Sequence, residues 1–141
     1  MKPEYDVERI SAIVGDMRKY CSDLADLGIA GPSDLDDKRT FYAASMILFA
    51  LLNRTIDLGN EIVLARGLGI PSTYREIFTL LEKEAVIDPV LANRISRLVF
   101  YRNLLSHEYH GIDGEKILSL ISRIPDIQEF EAAIEHLIWV D

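Results

Sequence analysis

The chain has 141 residues, the size of one ordinary domain, and 49% of them are hydrophobic, which excludes a disordered chain. A net charge of −8 excludes a general nucleic-acid coat, which would be basic. Cys21 is the only cysteine, so no intrachain disulfide is possible and a cytoplasmic location is expected.

The opening MKPEYDVERI carries acids where a signal sequence would be apolar, so no secretory leader is expected. Val7, Ile10, Ile13, Val14, Met17, Cys21 and Leu24 then recur at helical spacing and predict a first amphipathic helix. Cys21 falls in that apolar stripe, which suits a core residue better than a nucleophile. Gly28 to Asp37 is rich in Gly, Pro, Ser and Asp and reads as a loop. A second, longer helix is expected from Lys38 to about Arg66, apolar on several sides and so central. Its longest apolar stretch, Phe41 to Leu52, is far short of the ~20 residues of a membrane span. No membrane association is expected.

Gly67, Gly69 and Pro71 end that helix, and Thr73 with Glu76 has capping-box spacing for a short helix to about Ala85. Asp88-Pro89 reads as an N-cap followed by proline at the first helical position. The fourth helix starts there and runs into YRNLLSHEYHGID, with Gly111 and Gly114 as breakers. A short helix around Glu115 to Ser122 and a last one from Pro125-Asp126 to about Val140 complete the chain. No segment alternates with period two. The expected fold is therefore all-α, a single domain over 1–141, built as an antiparallel helical bundle of about five to six helices.

Charge is unevenly spread. Residues 1–37 carry a net −5, residues 38–112 a net +2 and residues 113–141 a net −5. The middle stretch holds Leu91, Ile95, Leu98 and Leu105 in one line, and Arg102 falls in the same line, four after Leu98. Arg102 is thus expected at a core edge, a cleft or an interface, where a guanidinium needs a partner. That partner is either a carboxylate from another helix or a substrate phosphate held bidentately. On the second helix, Asn53, Arg54, Asp57, Asn60 and Glu61 form a polar stripe at spacings of three and four. It reads either as cleft lining or as a solvated face, and Arg54 or Arg102 is the cation expected between Asp57 and Glu61.

His107 follows Arg102 by five residues, about 140° around a regular helix. The two converge only if the helix breaks between them or if two chains meet. Asn103, His107 and His110 do share a face. His107 and His110 have a metal-compatible spacing but no evident third ligand, so no metal is expected. His136, near the end of the last helix, suits the helix dipole.

Arg102-Asn103-x3-His107 resembles the Arg-x4-His motif of the HEPN superfamily, and with Tyr109 it looks like the HepT-like toxins in particular. The likeness continues through the order of elements from Gly67 to Asp113: helix end, GxP turn, short helix, Asp-Pro cap, motif helix. With the long helix before them it covers residues 4–120 or so. The resemblance implies a homodimer around the motif helices, with further assembly left open, and a metal-independent endoribonuclease needing no cofactor. It implies His107 as general base on a ribose 2′-OH, Arg102 on the scissile phosphate and Asn103 in support. It also implies a partner, a minimal nucleotidyltransferase antitoxin that transfers AMP to Tyr109 and so repels RNA. RNA is the expected substrate, and DNA is not expected. Two other readings stand beside this one: a noncatalytic helical module that binds a nucleotidyltransferase and nucleotide, and a small-molecule phosphohydrolase or nucleotide-binding protein.

Overall fold

The computed structural model describes residues 2–107 and 111–140; the side chains of His107 and Val140, and all of Glu108, Tyr109 and His110, lie outside the description. The first helix, α1 (Val7–Asp26), starts where the Asp6 carboxylate accepts from the Arg9 amide at 3.0 Å. It buries Ile10, Ile13, Val14, Met17 and Leu24 against the next helix. The expected loop between them is not wholly irregular. Pro32–Leu35 form one 3-10 turn, because Pro32 presets the backbone and Asp34 reaches back to the amides of Ala30 and Gly31 at 2.7 and 3.1 Å. The turn buries Leu35 in the core.

The central helix is α2 (Lys38–Ala65), capped by Asp37 on the Thr40 amide at 3.3 Å. By length and hydropathy alone it passes for a membrane span. Much of its apolar surface, including Ala44, Leu48, Leu51, Leu52, Ile56, Leu58, Ile62 and Val63, is instead buried against α1 and the helices that follow, while Tyr42, Met46 and Leu64 are exposed. It carries Asn53, Arg54, Asp57 and Glu61 along one side. Gly59 packs against residues of the next helix: a Cβ there would sit 2.9 Å from Ile77 Cγ2 and 3.2 Å from Phe78 Cε1. Gly67, at φ 62°, takes the left-handed conformation that ends α2.

Helix α3 (Tyr74–Lys83) opens with Thr73 accepting from the Glu76 amide at 3.1 Å. The return half of the expected capping box is shifted by one residue. The Glu76 carboxylate accepts from the Ser72 hydroxyl at 2.6 Å and the Ser72 amide at 3.0 Å. The helix stops short of Ala85, which sits in the left-handed region at φ 57°. Helix α4 (Pro89–His107) is capped by Asp88 on the Leu91 amide at 2.8 Å and lies against α2, α3 and α6. After α5 (Gly114–Ser122), capped by Asp113, α6 (Ile124–Val140) closes the bundle. Phe130 of α6 meets Phe78 of α3 edge to face, centroids 5.5 Å apart, and both rings are fully buried. Arg18 ties α1 to α6 through Glu131 at 2.7 Å and Glu135 at 2.6 Å. The fold is all-α, as expected. The half-buried Cys21 lies against the core, and burial pushes its thiol pKa up, which disfavours the reactive thiolate.

Hydrogen bonds hold three carboxyls below their ordinary range: Glu76 through the Ser72 hydroxyl, Asp34 through the Ala30 amide and Asp113 through the Lys116 amide. A carboxyl with a lowered folded pKa stabilises the fold above its unfolded pKa, and that stability is lost as pH falls through the folded value. The urea stability gap between wild type and Glu76→Ala is therefore expected at about pH 6 and to close toward about pH 3. A gap independent of pH would contradict the assignment.

Candidate functional site

Arg102 sits half-buried on α4, at the edge where α2 and α3 meet it. Its Nε donates to Asn53 Oδ1 at 2.8 Å and its Nη1 to Asn103 Oδ1 at 3.2 Å. The guanidinium carbon lies 5.2 Å from the Phe49 ring centroid and 5.3 Å from that of Tyr74. Phe49 and Asn53 are four apart on α2, so one helix face supplies both a ring and an acceptor. Tyr74 is the first residue of α3, brought over the guanidinium by the cap at Thr73. Among the described residues no carboxylate is within ion-pair distance of Arg102. Its described neighbours are neutral, so they fix its orientation without compensating its charge. Nη2 has no hydrogen-bond partner among those residues and is available to an anion.

The rest of the polar stripe faces elsewhere. Arg54 binds Asp16 of α1 at 2.8 Å and Asp57 at 3.1 Å, and Glu61 binds Arg9 of α1. So Asp57 takes Arg54 as its cation and Glu61 takes Arg9; neither reaches Arg102. Asn60 is half-buried on the same helix. Only Asn53 connects the stripe to Arg102. Asn103 is exposed beside it, whereas the His107 side chain and the Tyr109 and His110 positions fall outside the described residues. The backbone of α4 is helical from Pro89 through His107, so no break separates Arg102 from His107. Among the described residues no group of three or more metal-ligating side chains comes together.

A cleft of about 650 Å³ adjoins this arrangement, with Tyr74 and Asn103 in its wall. It runs along α4 between the start of α3 and the end of α5, and its wall includes Arg75, Arg97 and Arg123. Sequence reasoning missed these three residues, as well as Phe49 and Tyr74; the net positive charge of residues 38–112 was a signal for Arg75 and Arg97 but not for Arg123, which lies in the acidic last stretch.

The family model for ribonuclease HepT-like proteins matches residues 17–137. The chain belongs to the HepT-like family. Among curated relatives, this HepT-like chain is 29% identical over 80 residues to the mRNA nuclease HepT of Shewanella oneidensis, a match spanning 57% of this chain and 59% of that protein. Its fold is also that of a tri-AMPylated Shewanella oneidensis HEPN toxin solved in complex with an MNT antitoxin. That likeness has a TM-score of 0.84 at 21% identity and covers 94% of this chain and 99% of the other. YutE of Bacillus subtilis, a cytosolic protein of unknown function, superposes with a TM-score of 0.83 at 21% identity, covering 97% of this chain and 93% of its own. The HepT-like chain thus has the resemblance expected from its motif, at the level of family and fold.

Proposed function

We propose that this protein is a metal-independent endoribonuclease toxin whose chemistry is carried by Arg102 and His107. The observation that carries this reading is the setting of Arg102. It is oriented by Asn53, Asn103, Phe49 and Tyr74, and it has no carboxylate partner among the described residues. A guanidinium arranged so suits a phosphodiester, whose oxygens accept from its N–H groups and whose charge it offsets. His107 takes the proton from a ribose 2′-OH. The 2′ oxygen attacks phosphorus, the P–O5′ bond breaks, and the departing 5′ oxygen takes up a proton from water. The products are a 2′,3′-cyclic phosphate and a 5′-hydroxyl. Imidazole suits the base role because its unperturbed pKa is ~6.5.

Arg102 and His107 lie on one unbroken helix, about 140° apart around its axis. Of the two arrangements that would bring them together, a helix break or a second copy of the chain, the unbroken helix favours the second, a dimer through α4. The partner is a minimal nucleotidyltransferase that silences the toxin by adding AMP to Tyr109. The likeness to an AMPylated toxin in complex with its antitoxin supports this.

The test is cleavage of RNA in EDTA by wild type and His107→Ala. Wild type is expected to cleave and the variant to lose at least ~10²-fold in rate, the ordinary contribution of a general base. Retained activity in the variant would remove His107 from the chemistry. For the switch, incubation with ATP and the cognate transferase is expected to place AMP on Tyr109 by mass spectrometry; AMP confined to other residues would refute it.

A further inference from the structure

The cleft along α4 has an unusual wall for so acidic a chain: among the described residues it holds three arginines, Arg75, Arg97 and Arg123, and no aspartate or glutamate. Among the described residues neither Arg75 nor Arg97 has a carboxylate within ion-pair distance. Arg123 binds Asp126 at 3.2 Å, but Arg94 approaches the same carboxylate at 3.6 Å, so two guanidiniums share one negative charge. Positive charge is thus in surplus along the cleft. Interleaved with it are aromatic rings: Tyr74, Tyr101 and Phe100, the last 63% exposed. Tyr74 and Asn103 belong both to this wall and to the setting of Arg102, so the cleft is continuous with the candidate site.

Surplus arginines with exposed rings are what a single-stranded nucleic acid requires. Guanidiniums hold successive phosphates, and bases stack on the rings without sequence preference. A second copy of the chain seated in the cleft itself, as distinct from one meeting α4 elsewhere, fits less well. A two-fold contact sets a patch against itself, and here it would oppose the three arginines to the same three with no acid among the described wall residues to pair them.

We infer that this cleft is the path of the RNA strand on one side of the scissile phosphate, with Arg75 and Arg97 binding its backbone. This rests on the ribonuclease reading above, and binding can be measured apart from cleavage. The probe is a fluorescein-labelled single-stranded RNA of about 12 nucleotides, followed by anisotropy in EDTA against protein carrying His107→Ala, so that it stays intact. Adding Arg75→Gln and Arg97→Gln is expected to weaken binding at least ~10-fold. The slope of log K against log salt should become shallower by about 1.4, ~0.7 for each lost phosphate contact. Arg75→Lys with Arg97→Lys, which keeps the charges, is expected to restore most of the affinity and shows that the surface has not merely unfolded. Lys19→Gln with Arg39→Gln makes the same charge change at exposed sites outside the cleft and is expected to leave binding unchanged.

Affinity and slope unaltered by the two cleft substitutions would overturn the inference, as would no RNA binding by the His107→Ala parent. So would unaltered RNA binding together with a dimer-to-monomer shift in light scattering, which would make the cleft a contact between copies. Failure of wild type to cleave would instead strike the ribonuclease reading, while the binding measurements still decide the cleft.

Discussion

Arg102→Ala is expected to lower the rate of RNA cleavage by ~10²–10³, the ordinary effect of removing one preorganised donor that stabilises developing charge. Arg102→Lys is expected to recover little of that loss. Lysine keeps the charge but not the planar fork, so it loses the bond to Asn53, the bond to Asn103 and the placement between Phe49 and Tyr74. Neither substitution removes a core side chain, since Arg102 is half-buried and pairs with no carboxylate among the described residues. Circular dichroism and urea unfolding are therefore expected to change far less than activity. A lysine variant as active as wild type would show that a point charge suffices and that the aromatic setting does nothing for the reaction.

Phe78→Ala carries the largest expected stability effect, a loss of about 3–5 kcal/mol measured by urea unfolding. The ring is fully buried, packs edge to face on Phe130 of α6, and sits under Gly59 of α2. Removing it leaves a cavity where three helices meet. That cost is a large part of the ~5–15 kcal/mol a domain of this kind has in total. The consequence reaches the site, because α3 carries Tyr74 over Arg102. Activity is expected to fall in Phe78→Ala even where the protein remains folded. A loss below ~1 kcal/mol would contradict the packing described here.

Much of the fold was legible because local chemistry decides it. Thr73 and Asp88, read as caps from the sequence, each cap a helix; Asp37 and Asp113 cap α2 and α5 in the same way, though the sequence reading named no cap there. The half-buried position of Arg102 was legible too, from its place four residues after Leu98 on the apolar line of α4. Its partners were not. Asn53 and Arg54 look alike in sequence, members of one polar stripe. One meets α4 and the other α1 only because the helices pack at particular rotations about their axes. Periodicity gives the faces of a helix without saying which neighbour each face meets. Phe49 was hidden for the same reason, read as core where it is also a platform for a guanidinium. The cleft arginines come from α3, α4 and the end of α5, so no window of sequence holds them together.

The chemistry of the product ends tests most directly the proposed cleavage of RNA by Arg102 and His107 through attack of its own 2′-OH. RNA cut by wild type in EDTA, analysed by mass spectrometry, is expected to carry 2′,3′-cyclic phosphate and 5′-hydroxyl ends, with no such products from Arg102→Ala or His107→Ala. Fragments ending in 3′-hydroxyl and 5′-phosphate, or cleavage that EDTA abolishes, would contradict it.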